Sequence, residues 1–145
     1  MKVEIRLSKE IAEPYVVIHT DEITDEIAQM VKRIEDMKPK VITAKIDDRL
    51  VILQPEEIYM VRVEDEKTFL YGERERYLSR KRLYELEEDM GEGFLRISKS
   101  TLVNLKYLDS VEPSFSGVML LRLKNQCQEY VSRKYLPDLK RYLGL

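Results

Sequence analysis

The sequence predicts a mainly β fold, a sandwich of short strands with brief helices, preceded by a small β-α unit. Three observations carry that expectation. Beyond residue 40, short apolar and β-branched runs recur between turn signals, at the spacing of a sandwich rather than of a helical bundle. Ahead of residue 40 stands one stretch with strong three- and four-residue apolar spacing, closed by a proline. Finally, the chain has 145 residues, 43% of them hydrophobic. A chain of this size buries roughly 70% of its unfolded surface and needs neither metal nor disulfide to hold its core.

Taken in order, Val3, Ile5 and Leu7 alternate with Lys2, Glu4, Arg6 and Ser8, the period of a half-buried strand, and residues 15–18 offer a second. Thr20 or Asp21 stands where a cap is needed for a helix over residues 22–37, in which Ile23, Ile27, Met30, Val31, Ile34 and Met37 share a face. Lys38-Pro39-Lys40 stops this helix, because proline lacks an amide hydrogen and disfavours helix in the residue before it. The chain is therefore expected to divide into an extension, residues 1–40, and a main domain, residues 41–145. In the main domain, residues 41–46 and 50–53 read as a hairpin turning at Asp47-Asp48, and Pro55-Glu56-Glu57 breaks the chain before a strand over 58–64. A turn at Asp65-Glu66-Lys67 leads to strands over 68–71 and 77–79, then to a helix over 83–89 closed by Gly91 and Gly93. Residues 94–97, 108–112, 118–123 and 128–132 are four further strands, and a last helix covers 137–142. The expected core is drawn from Leu83, Leu86, Phe94, Ile97, Leu102, Val103, Leu105, Leu108, Val111, Leu120, Leu123, Val131 and Leu139.

Composition narrows the function. His19 and Cys127 are the sole histidine and cysteine, which excludes an internal disulfide, a zinc site and most histidine-dependent catalysis. No metal, cofactor, catalytic residue or small-molecule substrate is expected. No apolar run approaches the roughly 20 residues of a membrane span, and no signal-peptide pattern marks residues 1–8, so a cytoplasmic location is expected. Net charge is −2, but it is unevenly spread. Residues 41–92 carry 9 basic against 14 acidic side chains, and residues 93–145 carry 9 against 4. A basic C-terminal third points to a polyanionic partner, or reflects ordinary variation among solvated faces.

Three segments hold the polar chemistry. RERYLSRKRL, residues 74–83, gathers five cations, but Glu75 within it and Glu73 before it interrupt them, which favours a solvated surface over a phosphate site. FLRISKSTLVNLKYL, residues 94–108, sets Arg96, Ser98, Lys99, Ser100, Thr101 and Asn104 among apolar residues; such side chains donate to phosphate oxygens, and Lys or Arg also addresses guanine edges. The alternative there is a strand followed by a Ser-capped turn. YVSRKY, residues 130–135, ends a strand with Arg133 and Lys134, from which a guanidinium can reach into a groove.

In this order the segments resemble the LytTR-type DNA-binding domain of bacterial transcription regulators. The resemblance runs from near Ile46 to the C-terminus. It covers IYMVRVEDEKTFLY from Ile58, RLYELEED from Arg82, GFLRISKSTLVNLKYLDSV from Gly93 and VSRKYLPDLKRYL from Val131. It implies an elongated sandwich of mostly antiparallel strands that reads double-stranded DNA from loops, in two consecutive major grooves. Carried over residue by residue, it implies base contacts from Lys67 or Thr68, from Lys99 and from Arg133. Backbone contacts would then come from Arg96, Ser98, Ser100, Asn104 and Lys134, although Asn104 can equally shape its own turn.

Residues 1–40 are too few for a phosphoacceptor domain, and Asp21, Glu22, Asp25 and Glu26 are explained by a helix start, where carboxylates meet the positive end of the dipole. The resemblance instead implies a compact regulator, often paired with a small membrane protein from the same operon. The apolar face from Ile23 to Met37 is expected to pack on the domain itself or to form a homodimer. The expected function is sequence-specific DNA-binding transcription regulation without enzymatic activity. The alternative is a protein-interaction module whose basic C-terminal surface holds an acidic partner.

Overall fold

The computed structural model describes residues 1–37 and 41–145, and its contacts divide the chain into two units, Met1–Lys38 and Pro39–Leu145. The expected helix stop at Lys38-Pro39-Lys40 lies outside the described residues. In the first unit, helix α1 spans Asp25–Glu35. Its N-cap is Thr24, whose Oγ1 accepts from the Ile27 amide at 3.2 Å, and Asp25 and Glu26 follow in the first turn while Lys32 and Arg33 occupy the last. The cap therefore falls later than Thr20 or Asp21, since only a side-chain oxygen three residues before an orphan amide can satisfy it. The strands expected over 3–7 and 15–18 do not form. Alternation supplies an amphipathic edge but not a partner for the backbone groups, and Val3 and Leu7 stand 84% and 95% exposed.

The second unit is the β sandwich the sequence predicts. Its strands are β1 (Ile42–Ile46), β2 (Arg49–Leu53), β3 (Met60–Glu64), β4 (Lys67–Tyr71), β5 (Arg76–Ser79), β6 (Phe94–Ser98), β7 (Thr101–Asn104), β8 (Leu108–Pro113), β9 (Met119–Leu123) and β10 (Gln128–Val131). Helix α2 (Leu83–Met90) separates β5 from β6, and α3 (Leu136–Leu143) follows β10. One sheet has the order β2-β1-β5-β4-β3-β7-β6, the other β10-β9-β8, and every pairing is antiparallel.

Alternation along the central strands builds two cores. Val61 and Leu102 lie with Leu70, Leu83 and Leu86 under α2, whereas their neighbours Met60 and Val103 lie with Ile97, Leu121, Val131 and Leu139 between the sheets and α3. Each such side chain, fully withdrawn from water, contributes ~1.5–3 kcal/mol. The larger sheet is thus covered on both faces, which explains why β7, Thr101–Asn104, escapes a search for alternation: all four of its residues are buried. In β9 Leu121 is buried beside the expected Leu123, whereas Leu120, like Phe94, Leu105, Leu108 and Val111, is only partly buried.

Candidate nucleic-acid interface

Strand register decides which loops share an end of the sandwich. Asp65 and Glu66, at φ of 50° and 65°, make the two-residue turn of the β3–β4 hairpin and leave Lys67 exposed beside it. Strand β7 pairs with β3 so that Arg62 faces Thr101, and the Val63 amide donates to the Ser100 carbonyl at 2.9 Å. The β6–β7 hairpin, with Lys99 exposed at its tip, therefore turns at the same end as the β3–β4 hairpin. Past β10, the Ser132 amide donates to the Ile97 carbonyl at 2.9 Å, which brings Arg133 and Lys134 alongside the end of β6. Lys67, Lys99 and Arg133 thus form a row along one end, with Lys99 in the middle. Three strand spacings from β4 to β6 make the row about 14 Å long before the Arg133 loop is added.

The Arg133 side chain is aimed. Its Nε donates to the Ser116 carbonyl at 2.7 Å, in the β8–β9 turn where Ser116 and Gly117 both take positive φ. The two terminal nitrogens have no partner among the described residues, so the fork that pairs with a guanine edge is left open. Lys134 is exposed, its ammonium 5.5 Å from the Tyr135 ring centroid. At the β6–β7 tip the Ser98 and Ser100 hydroxyls lie 3.3 Å apart, and Ser98 Oγ accepts from the Ser100 amide at 3.2 Å, which stiffens the turn under Lys99.

Three of the expected contacts are engaged elsewhere. Thr68 is 7% exposed, facing Val63 and Ser79 across the sheet, so of the two residues offered for the first loop only Lys67 reaches solvent. Arg96 donates through Nε to the Ser98 carbonyl at 2.9 Å and through Nη2 to the Lys99 carbonyl at 2.6 Å, while Nη1 meets Glu87 Oε2 of α2 at 2.8 Å. Its guanidinium frames the hairpin through these three bonds. Asn104 is 5% exposed; its Nδ2 donates to the Ile58 carbonyl at 2.9 Å and its Oδ1 accepts from the Lys106 amide at 3.1 Å, so it closes a turn at the far end of β7.

Beneath the loops, Arg62 ties the two sheets together. It donates to Glu64 at 2.7 Å and Tyr71 at 2.9 Å, and to Glu129 of β10 at 3.2 Å, with Arg76 adding a bond to Glu64 at 3.1 Å. Burial opposes the Arg62 charge, but these bonds outweigh it and hold its pKa above the ordinary value. The Tyr71 hydroxyl bond keeps the Glu64 carboxyl below the usual carboxylate range despite partial burial, with Arg62 and Arg76 acting in the same direction. Burial raises the Tyr71 hydroxyl in turn. The network fixes the end of the sandwich on which the cationic row stands.

Fold and charge distribution together define a domain of the DNA-binding class. The family model of the LytTr DNA-binding domain matches residues 48–144, and the chain belongs to that family. Among curated proteins it is similar to an uncharacterized HTH-type transcriptional regulator of Staphylococcus aureus strain MSSA476, at 26% identity over 100% of this chain and 99% of that one. A like-named protein of strain MRSA252 is 25% identical over the same shares. A solved LytTr DNA-binding domain from Bacillus cereus shares the fold, with a TM-score of 0.69 and 23% identity over 74% of this chain and 100% of that one. The helix-turn-helix in the names of the relatives has no counterpart here: among the described residues, no two α-helices adjoin through a short turn.

The sequence reading passed over two features of this end. One is the β8–β9 turn that positions Arg133, for which a Ser-Gly pair between strands is the available signal. The other is the loop after β5, where Arg80 and Arg82 are exposed.

Proposed function

We propose that this protein is a sequence-specific transcription regulator that binds double-stranded DNA with the loop end of its sandwich. The observation that carries the reading is the shared end of Lys67, Lys99 and Arg133, each exposed and each on a different loop. Lys67 and Arg133 are the outer pair of the row and bracket the stretch of duplex it faces, with Lys99 between them. The Lys99 and Arg133 loops are neighbours through the Ser132–Ile97 bond, so those two side chains address adjoining stretches of duplex. Lys134, Ser98 and Ser100 supply backbone donors around them.

Neutralised phosphates release counterions, so duplex affinity is expected to fall steeply with salt. With about five phosphates engaged, the log–log slope has a magnitude of at least ~4. A titration on DNA from upstream of the protein's own operon, at several salt concentrations and with heparin as competitor, tests this. A flat profile removes the DNA reading. Equal displacement by heparin and by specific duplex favours a module that holds an acidic protein instead.

The extension is proposed to make the regulator a homodimer, matching two half-sites. Its support is the apolar stripe of α1, Ile27, Met30, Val31 and Ile34, none of which is fully buried. Replacing Ile27 and Ile34 by aspartate is expected to give a folded monomer that binds a single half-site weakly. Sedimentation with far-UV circular dichroism checks it, and loss of folding would mean that the stripe is internal packing. The family resemblance further supports an input from an operon-linked membrane protein. In this chain no described helix is long and apolar enough to cross a membrane.

A further inference from the structure

The charge-interleaved segment ERERYLSRKRL, residues 73–83, is separated in space by the strand it contains. Glu73 and Glu75 precede β5, whereas Arg80 and Arg82 follow it, and four residues of strand set the two groups about 13 Å apart. Pairing of Thr68 with Ser79 then puts the far end of β5 beside the β3–β4 hairpin, at the loop end of the sandwich. There an open cleft of about 870 Å³ is lined by Lys45, Lys67, Arg80, Lys81 and Arg82, with Glu66 as its acid.

Two neighbouring cations are neutralised. Lys81 is paired with Asp89, whose hydrogen bond raises the ammonium pKa, and Arg96 with Glu87. Among the described residues no carboxylate lies within ion-pair distance of Lys67, Arg80 or Arg82, and all three are exposed. Long cationic side chains held close together without counter-charges repel one another, and a polyanion relieves that repulsion. Helix α2 starts directly after Arg82, and its N-terminus is already capped by Glu85, whose Oε1 accepts from the Arg82 amide at 3.2 Å, so the potential here comes from the side chains.

We propose that the β5–α2 loop is a further phosphate-binding element, in which Arg80 and Arg82 hold the DNA backbone beyond Lys67 and extend the footprint on that flank. The inference rests on the DNA-binding reading and deepens it. Neither arginine reads sequence. Both contribute electrostatic affinity that is equal for every duplex, and they hold the Lys67 side of the row against the groove.

The test uses the full chain and a random-sequence 40-base-pair duplex. Arg80→Ala with Arg82→Ala is expected to reduce the magnitude of the log–log salt slope by ~2, from about 0.9 per phosphate lost. Hydroxyl-radical protection should shrink on one flank only, and R80K with R82K should retain the wild-type slope. Arg49→Ala with Arg74→Ala, an equal loss of charge from exposed residues at the other end of the sandwich, should leave the slope unchanged. A wild-type slope in the R80A/R82A variant overturns the inference while leaving DNA binding intact. So does an equal drop in the two alanine pairs, which would reveal only a net-charge effect. If the wild-type protein itself shows no salt-dependent duplex binding, the DNA reading fails, and this inference with it. Circular dichroism and the thermal midpoint confirm that each variant is folded, as expected for exposed side chains.

Discussion

Replacing Arg133 by alanine is expected to weaken binding to the preferred duplex by about 1–3 kcal/mol, roughly 5- to 150-fold, and to relax preference at one base position. The magnitude follows from what the side chain can offer. Its Nε is already held by the Ser116 carbonyl at 2.7 Å, so the terminal nitrogens present a pre-oriented fork and lose little freedom on pairing with guanine O6 and N7. Affinity for random duplex should fall far less, since only one charge of several is lost. Lys67→Ala should relax a second, separate position, and Lys99→Ala should act between the two. The preferred duplex comes from selection on random-sequence DNA, and each variant is titrated against it, its single-base variants and unselected duplex. If Arg133→Ala weakens all duplexes by one factor, the residue attracts phosphate and does not read bases.

The elements that the sequence made legible are those whose signal is local. Hairpins announce themselves through turn residues, as at Asp47-Asp48 and Asp65-Glu66, and α2 through its 3–4 spacing ended by Gly91. Strand β7 was hidden because a strand covered on both faces has no alternation, and its Thr101 and Asn104 resemble loop residues. The opposite error occurred over residues 3–7, where alternation was present but no strand pairs with it. Pattern registers the side-chain half of a strand; the hydrogen-bonding half depends on what lies alongside.

The same distinction governs the site. Lys99 and Arg133, which the resemblance singled out, stand next to hairpin and strand-end signals, and the structure leaves both exposed. At Arg96, composition reports a cation but not the two carbonyls and the Glu87 carboxylate that it bonds. Arg80 and Arg82 were discounted because charges that alternate in sequence were assumed to alternate in space. A four-residue strand between them is enough to sort them to opposite ends.

Asn104→Ala is expected to lower stability by about 2 kcal/mol, and the thermal midpoint by roughly 5–10 °C, while leaving the salt slope of DNA binding unchanged. The substitution removes three bonds at once. The Ile58 carbonyl loses its 2.9 Å donor, the weaker 3.5 Å contact to the Pro55 carbonyl goes, and the Lys106 amide loses the Oδ1 that caps the turn after β7. Ile58 is itself fully buried, so water cannot readily replace the donor, and an unsatisfied buried carbonyl costs about 1–3 kcal/mol. Loss of the cap adds ~0.5–2 kcal/mol, although neighbouring terms of this kind overlap and do not sum. Asn104→Asp should behave differently, because it keeps the acceptor for Lys106 but turns a donor into a second acceptor against the Ile58 carbonyl. It is therefore expected to be at least as destabilising as alanine. Thermal unfolding followed by circular dichroism measures both variants, with duplex titrations run well below the lowered midpoint. A variant with an unchanged midpoint but a reduced salt slope would favour the DNA-backbone contact that the resemblance implied for Asn104 over its turn-shaping role.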